Sequence, residues 1–280
     1  MCTFSESRVR SLSSQGDRVW VTCGSEAEGN PASRVRLFCF PYAGAGASIF
    51  RSWQAEVLPG IQVCRVQLPG REERMVEPPF TRLKPLIEAL TENLRPLLNV
   101  PFAFFGHCMG ALVAFELARS LRREGREPVH LLVSALRPPQ LGHGTGGLHR
   151  LRGDAFQAAL VGFDGIPREL QNEPEFLKLV LPTLRADFET CETYQYRAEA
   201  PLGCPISVYS GRSDARSPAA EMVLWKHHTA GKFSCRVFPG NHFFVESSRK
   251  AVLSAVSVEL LGSLMTARQP ATNNGQGDSK

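Results

Sequence analysis

Long apolar runs are missing from this 280-residue chain. No stretch of about 18 consecutive hydrophobic residues occurs, so the sequence predicts no membrane span. No block of residues repeats at a fixed period, which argues against a solenoid. Lysine is scarce, with six residues, and no long basic run accompanies the net charge of +5, so nucleic-acid binding is not indicated. With 43% hydrophobic and 21% charged residues, the composition is that of an ordinary globular protein.

Paired cysteine motifs are also missing. The eight cysteines are scattered and no CxxC pair occurs, so neither a zinc ribbon nor a thioredoxin-like redox site is predicted. The first residues, MCTFSESRVRSLSS, lack the apolar core of a secretory signal. We therefore expect a cytoplasmic protein whose cysteines are reduced thiols, most of them small core residues.

Short apolar segments alternate with amphipathic ones along most of the chain. The predicted strands are 34–40, 63–68, 101–106, 130–135, 206–210 and 235–238. The predicted helices are 48–58, 81–97, 109–124 and 246–265. This alternation predicts one α/β domain over residues 34–266, built on a mostly parallel sheet flanked by helices.

Three segments depart from the alternation. Residues 1–33 are polar, with a possible edge strand at VWVTC (19–23), and the Asn/Gln/Gly-rich tail 267–280 is predicted to be disordered. Residues 137–200 contain no convincing strand and show helical patterns around 154–161 and 173–194. We interpret this third segment as an inserted helical subdomain, since such insertions often cover active sites as lids.

The segment GHCMG, Gly106 to Gly110, is the main chemical motif. It lies between an apolar strand and an amphipathic helix, the context of the nucleophile elbow GxSxG. The turn is sharp, so its neighbours must be small, and the central side chain projects at the N-terminus of a helix. That residue is Cys108, which we predict to be a nucleophile; the structural alternative is a buried cysteine in a tight turn.

A nucleophile needs a base, and the base needs an acid that orients it. In this architecture the chain order is nucleophile, acid, base. His242, in the turn PGNHFF between the last predicted strand and the closing helix, is the predicted base. Asp214, in the loop GRSD after the strand ISVYS, is the predicted acid, because functional groups collect at the carboxyl ends of parallel strands.

Other histidines and aspartates are given structural roles. His227 and His228 are expected on the surface, and the His107 side chain is expected to point away from the nucleophile. Three aspartates of the insertion are expected to cap helices or to carry solvated charge: Asp154, Asp164 and Asp187.

An oxyanion hole requires two preorganised backbone N–H groups. Met109, which follows the nucleophile, supplies one of them. The loop FPYAGAG after the first predicted strand supplies the other, from Ala43 or, as the near alternative, from Gly44. Small residues in this loop let the backbone approach a substrate; the alternative is a flexible turn.

Several segments of the chain, taken in order, resemble the type II thioesterases. They are LFCFPYAGAGASIFRSW, VQLPGREER, GHCMGALVAFELAR, LPTLRADFETCETYQY and GNHFFV, within residues 34–261. That family consists of free-standing α/β hydrolases of polyketide and non-ribosomal peptide pathways. The resemblance implies a monomeric thioesterase that acts on acyl groups carried by the phosphopantetheine of a carrier protein, with no cofactor or metal of its own.

The resemblance also implies roles for individual residues of the site. It implies a triad of Cys108, Asp214 and His242, with oxyanion donors at Ala43 and Met109. It makes the insertion a lid over the acyl pocket. Four lid phenylalanines either line that pocket or form the lid core: Phe156, Phe163, Phe176 and Phe188.

Cys108 departs from the family, which usually has Ser at this position. A serine converts a thioester into an oxyester, which is downhill, whereas a cysteine forms a second thioester and keeps the acyl group activated. Acyl transfer to an amine, a hydroxyl or a second carrier protein is therefore an alternative to hydrolysis. A further alternative, from another class, is a non-catalytic module that binds a synthase.

Overall fold

The computed structural model describes residues 19–24, 35–142, 146–162 and 173–267. Its centre is a sheet of seven strands in the order β1-β3-β2-β4-β5-β6-β7. The strands are β1 (Val21–Cys23), β2 (Val35–Phe40), β3 (Ile61–Val66), β4 (Phe102–His107), β5 (His130–Ser134), β6 (Ile206–Gly211) and β7 (Phe233–Phe238). β1 pairs antiparallel with β3, and the other neighbouring strands pair in parallel. The predicted α/β-hydrolase architecture, a mostly parallel sheet flanked by helices, is confirmed.

The helices cover both faces of this sheet. They are α1 (Leu83–Leu94), α2 (Met109–Arg123), α3 (Asp154–Gly162), α4 (Pro174–Glu192), α5 (Ala219–Met222), α6 (Phe244–Ser247) and α7 (Arg249–Ala267). α1 and α2 pack their apolar faces into the core on one side, and α7 packs on the other. None of the described helices is both long enough and apolar enough to cross a membrane.

One predicted helix, 48–58, is wrong. Two 3₁₀ turns take its place, Ala47–Phe50 and Trp53–Ala55. The buried side chains Ala47, Phe50 and Trp53 recur every third residue. That spacing matches the three-residue period of a 3₁₀ helix rather than the longer period of an α-helix.

The described part of residues 137–200 contains α3 and α4. These two helices pack around a small apolar cluster of their own, which includes Leu148, Phe156, Leu160, Leu177 and Leu184. The extent predicted for the insertion and its role as a lid stay predictions. The segment 1–18 and the tail 268–280 lie outside the described residues.

Cys23 and Cys64 form a disulfide, so the expectation that the cysteines are reduced is wrong for this pair. The two residues are direct partners in the antiparallel register of β1 with β3, and their Cα atoms lie 4.1 Å apart. Directly opposed residues of an antiparallel pair come closest where they are not hydrogen-bonded to each other, at about 4.5 Å. The pairing follows from sheet register, which the sequence spacing of 41 residues does not reveal.

Gly110 lets the first turn of α2 sit directly on the end of β2. A Cβ atom at Gly110 would lie 2.1 Å from the carbonyl oxygen of Phe40, the last residue of β2. No real side chain tolerates that distance to a backbone atom. The glycine therefore fixes how closely α2 approaches the sheet.

We predict that Gly110→Ala lowers the free energy of unfolding by about 1–3 kcal/mol, the usual effect of overpacking a closely packed site. Gly262→Ala is the matched control, because Gly262 is an exposed position of α7 where an added Cβ meets nothing within 4 Å. That change should stabilise the protein by about 0.5–1 kcal/mol. Urea denaturation of both variants measures the difference, and equal stabilities would contradict the packing argument.

Candidate active site

Cys108 occupies a strained turn between β4 and α2. Its backbone has φ 53° and ψ −119°, a conformation that L-residues rarely adopt. Its N–H donates to the carbonyl oxygen of Ser134 at 2.8 Å, which ties the turn to the end of β5. A Cβ at Gly106 would lie 2.2 Å from the Gly110 carbonyl oxygen, so the turn closes only with glycine there. This is the elbow geometry that the sequence predicts.

The structure brings His242 and Asp214 to the same edge of the sheet. Asp214 follows β6 and His242 follows β7, so both stand at carboxyl ends of parallel strands. His242 Nδ1 lies 2.8 Å from Asp214 Oδ2. The carboxylate also accepts hydrogen bonds from the Arg216 N–H, at 2.9 Å, and from the Ser217 hydroxyl. These contacts hold the imidazole ring in one orientation.

The second imidazole nitrogen faces the cysteine. His242 Nε2 is buried and has no hydrogen bond of standard geometry among the described residues, and Cys108 is the group that interacts with it electrostatically. Burial lowers the pKa of His242, but the negative charge of Cys108 and the hydrogen bond to Asp214 outweigh it and raise the pKa to about 9. Burial likewise raises the pKa of the Cys108 thiol, but the charge of His242 and contacts from His242 and the Met109 N–H bring it below its ordinary value. Each group therefore stabilises the charged form of the other.

Asp214 stays ionised in this arrangement. Burial would raise its pKa, but hydrogen bonds from His242 and Ser217 and the charge of His242 outweigh burial and lower the pKa to about 2. A carboxylate that is always charged near neutral pH can orient and stabilise an imidazolium without taking its proton.

The His107 side chain points away from Cys108, as expected, and it supports the loop that carries His242. Its Nε2 lies 2.9 Å from the His242 carbonyl oxygen, and its Nδ1 lies 2.8 Å from Ser134 Oγ. Burial and the nearby charge of His242 lower the pKa of His107 to about 3, so the ring is neutral. A neutral ring donates from Nε2 to the carbonyl and accepts the Ser134 hydroxyl at Nδ1. Sequence reasoning gave His107 no such role.

A cavity of about 90 Å³ opens beside these side chains. Cys108, His242 and both predicted oxyanion donors, Ala43 and Met109, line it. α4 contributes Phe188 and Cys191 to its wall. A larger groove of about 690 Å³ lies between α1, α2 and residues 193–199, and it contains none of the predicted site residues. Because the predicted site residues line the smaller cavity, we take it as the candidate active site.

Ala43 and Gly44 were the two candidates for the second oxyanion donor, and the prediction of Gly44 is wrong. Its N–H donates to Asp187 Oδ2 at 2.7 Å and is not available to a substrate. Ala43, which lines the cavity, is the remaining candidate in this loop.

Asp187 was expected to cap a helix or to carry solvated charge, and that expectation is wrong. The residue lies within α4 and is 2% exposed. Its carboxylate forms a two-pronged ion pair with Arg71, with both N–O distances at 2.8 Å. Of the other two aspartates, Asp154 is exposed and Asp164 lies outside the described residues. The sequence offered no periodic signal that links residues 71 and 187.

His228 is buried, so its expected surface position is wrong, whereas His227 is exposed. The His228 ring packs against Phe115 and Trp225, and its Nε2 lies 2.6 Å from Gln140 Oε1. The lid phenylalanines divide between the two predicted roles. Phe188 lines the cavity, Phe156 is fully buried and Phe176 packs partly buried in the cluster of the insertion, and Phe163 lies outside the described residues.

Comparison with known proteins identifies relatives of this chain. The chain is 40% identical over 232 residues to the gramicidin S biosynthesis protein GrsT of Aneurinibacillus migulanus, which covers 82% of this chain and 91% of that protein. It is 37% identical to thioesterase PikA5 of Streptomyces venezuelae, over 82% of this chain and 83% of that protein. The solved structure of RedJ, a thioesterase from the prodiginine biosynthetic pathway of Streptomyces coelicolor, superposes with a TM-score of 0.77 at 36% identity, covering 84% of this chain and 90% of that one. The family described as thioesterase domain matches residues 35–260, and the chain belongs to that family.

Proposed function

We propose that this enzyme cleaves acyl thioesters carried by the phosphopantetheine of carrier proteins in a polyketide or non-ribosomal peptide pathway, through a covalent intermediate on Cys108. The observation that carries the proposal is the cysteine itself. It is held in the elbow, it lines the candidate cavity, and it lies beside an imidazole oriented by a carboxylate. The named roles of the relatives in gramicidin S and prodiginine biosynthesis support the choice of substrate.

In the first half of the reaction, the Cys108 thiolate attacks the carbonyl carbon of the substrate thioester. The carbonyl oxygen becomes an oxyanion, which accepts hydrogen bonds from the backbone N–H groups of Ala43 and Met109. Collapse of this intermediate breaks the bond to the pantetheine sulfur. The leaving thiolate takes the proton from His242 Nε2, and the acyl group remains on Cys108 as a new thioester.

Acylation changes His242 from an acid into a base. In the resting site, the negative charge of Cys108 is the largest influence that raises the pKa of His242 against its burial. The acyl-enzyme has no charge on that sulfur, so the pKa of His242 falls. The neutral ring then takes a proton from water, the resulting hydroxide attacks the acyl carbon, and collapse releases the acid and the Cys108 thiolate.

We propose that the cavity receives a short acyl group. Its volume of about 90 Å³ is smaller than the ~150 Å³ of an engineered apolar cavity that holds benzene. Its wall is largely apolar, with Ala135, Leu136 and Phe188 among the lining residues. We propose that the enzyme acts as a monomer and needs no cofactor beyond the phosphopantetheine on which its substrate arrives.

Acyl transfer is the second candidate function, and the cysteine nucleophile favours it. Exchange of one thioester for another is nearly neutral in free energy, so the intermediate keeps its reactivity. An amine, a hydroxyl or the thiol of a second carrier protein can then compete with water for the acyl group.

We predict that an acetyl-loaded carrier protein adds one acetyl group to the wild-type enzyme, seen by intact-mass spectrometry within the first turnovers. Cys108→Ala should form no adduct because the attacking atom is gone. Asp214→Asn should slow acylation by about 10²–10⁴-fold, since the imidazole loses its orienting charge. Asp154→Asn is the matched control, because that carboxylate is exposed and outside the cavity. Acetylation of the Cys108→Ala variant would refute the assignment.

The pH dependence of alkylation tests the ion pair. Because the pKa of Cys108 lies below its ordinary value of 9.0, iodoacetamide should modify it half-maximally below that pH. His242→Ala removes the neighbouring positive charge and should move the midpoint to higher pH. Cys108→Ala gives the background from the other thiols, among which burial raises the pKa of Cys39, Cys191 and Cys204. An unchanged midpoint in His242→Ala would show that another group activates the thiol.

The fate of the acyl-enzyme separates hydrolysis from transfer. The isolated acetyl-enzyme is incubated with buffer alone, then with an amine, an alcohol or a second holo carrier protein. Hydrolysis predicts a decay rate that none of the acceptors changes, with free acetate as product. Transfer predicts faster decay with one acceptor and acetate replaced by the acylated acceptor. Cys108→Ser, which forms an oxyester, is the comparison and should shift the outcome toward hydrolysis.

A further inference from the structure

A line of polar side chains on α4 joins the insertion to the hydrolase body. Thr183, Asp187 and Thr190 are four and three residues apart, which places them on one face of the helix. The Thr183 hydroxyl donates to the Gly70 carbonyl oxygen at 2.5 Å, and the Thr190 hydroxyl donates to the Phe80 carbonyl oxygen at 2.9 Å. All three side chains are buried. α4 is therefore held by hydrogen bonds at three points along its length.

The central contact differs from the other two because it reaches the oxyanion loop. Asp187 Oδ2 accepts the Gly44 N–H at 2.7 Å and one Arg71 N–H at 2.8 Å, while Oδ1 accepts a second Arg71 N–H. Arg71 also donates to the Ala45 carbonyl oxygen at 3.3 Å, so it contacts the same loop. The side chains of Arg71 and Asp187 are 5% and 4% exposed. Each charge is thus desolvated and neutralised by the other.

The loop itself is a type II turn. The Ala45 N–H donates to the Tyr42 carbonyl oxygen at 3.1 Å, Gly44 has φ +80°, and Ala43 is not among the residues with positive φ. In such a turn the peptide between the two central residues can flip, which exchanges the positions of its N–H and its carbonyl oxygen. A flip here would turn the Ala43 carbonyl oxygen toward the Asp187 carboxylate. Repulsion between the two oxygens opposes the flip, so the bond from Gly44 fixes the turn and, through it, the preceding peptide that carries the Ala43 N–H.

Packing of Leu184 against Gly44 also holds the turn in its observed conformation. A Cβ at Gly44 would lie 2.5 Å from Leu184 Cδ2, so this leucine of α4 already lies against the turn. Leu184 and Asp187, one helical turn apart, both contact Gly44. The position of the turn therefore depends on α4 rather than on the hydrolase body alone.

We propose that Asp187 is a positioning residue that presets the oxyanion hole: its carboxylate, neutralised by Arg71, accepts the Gly44 N–H and holds the turn with the Ala43 N–H available to the substrate oxygen. The inference rests on the proposed function, in which Ala43 and Met109 are the oxyanion donors. Arg71 pairs with both oxygens of the buried carboxylate, and the insertion completes the site rather than only covering it.

Two double variants separate the effect of the hydrogen-bond acceptor at position 187 from the effect of the charges on Arg71 and Asp187. Arg71→Met/Asp187→Asn removes both charges but keeps an oxygen that accepts the Gly44 N–H. Arg71→Met/Asp187→Leu removes the same charges and the oxygen, with a side chain of similar size. We expect kcat for acetyl-loaded carrier protein to be about 10²-fold lower in the leucine variant than in the asparagine variant, the usual effect of losing one oxyanion donor, with little change in KM.

Alkylation of Cys108 distinguishes an effect on the oxyanion hole from a general disruption of the active site. Iodoacetamide reacts at a saturated carbon and forms no oxyanion, so its rate with Cys108 and its pH midpoint should be equal in the two double variants. Thr190→Val removes another anchor of α4 without touching the oxyanion loop, and its kcat should stay within about threefold of wild type. If the leucine variant does not fold, Asp187→Ala replaces it in the same background, because alanine also lacks an acceptor.

Equal kcat values in the two double variants would overturn the inference, as would a fall in alkylation rate that parallels the fall in kcat. Failure of the proposed function looks different. In that case the wild-type enzyme itself forms no acetyl adduct, which the intact-mass measurement reveals before any variant is compared.

Discussion

The positive backbone φ of Cys108 is the constraint on which the rest of the site depends. Such a conformation costs about 1–3 kcal/mol for a residue with a side chain, so the surrounding structure must hold it. Gly106 and Gly110 remove the atoms that would collide, and the bond from the Cys108 N–H to Ser134 fixes the turn to β5. The sulfur consequently stands at the N-terminus of α2, where the Met109 N–H reaches it.

The sequence was sufficient where a candidate site residue comes within a few residues after the strand that positions it. Cys108 adjoins β4, Asp214 comes three residues after β6, and His242 comes four residues after β7. In a parallel sheet these strand ends share one edge, so their meeting follows from the strand pattern alone. For the same reason the elbow and the two partners could be predicted without knowing any distance.

Contacts between segments that are far apart in the sequence left no comparable pattern from which they could be predicted. Arg71 and Asp187 are 116 residues apart, on a loop after β3 and on a helix of the insertion, and nothing in either segment specifies the other. The same holds for the disulfide between Cys23 and Cys64, which depends on the register of β1 against β3. Its place in the inserted segment predicted helix capping or solvated charge for Asp187. The structure pairs it instead, which is the condition under which a carboxylate is buried.

In the proposed mechanism, the cysteine changes where the proton resides in the resting site, as well as the identity of the nucleophile. A serine hydroxyl keeps its proton near neutral pH and leaves the imidazole neutral until the substrate is attacked. We propose that Cys108, whose pKa lies below its ordinary value despite burial, gives its proton to His242, whose pKa is raised to about 9. The first step then needs no proton removal, and the imidazolium is ready to protonate the departing sulfur. Only the second step needs a base, and the loss of charge on the acylated sulfur supplies one.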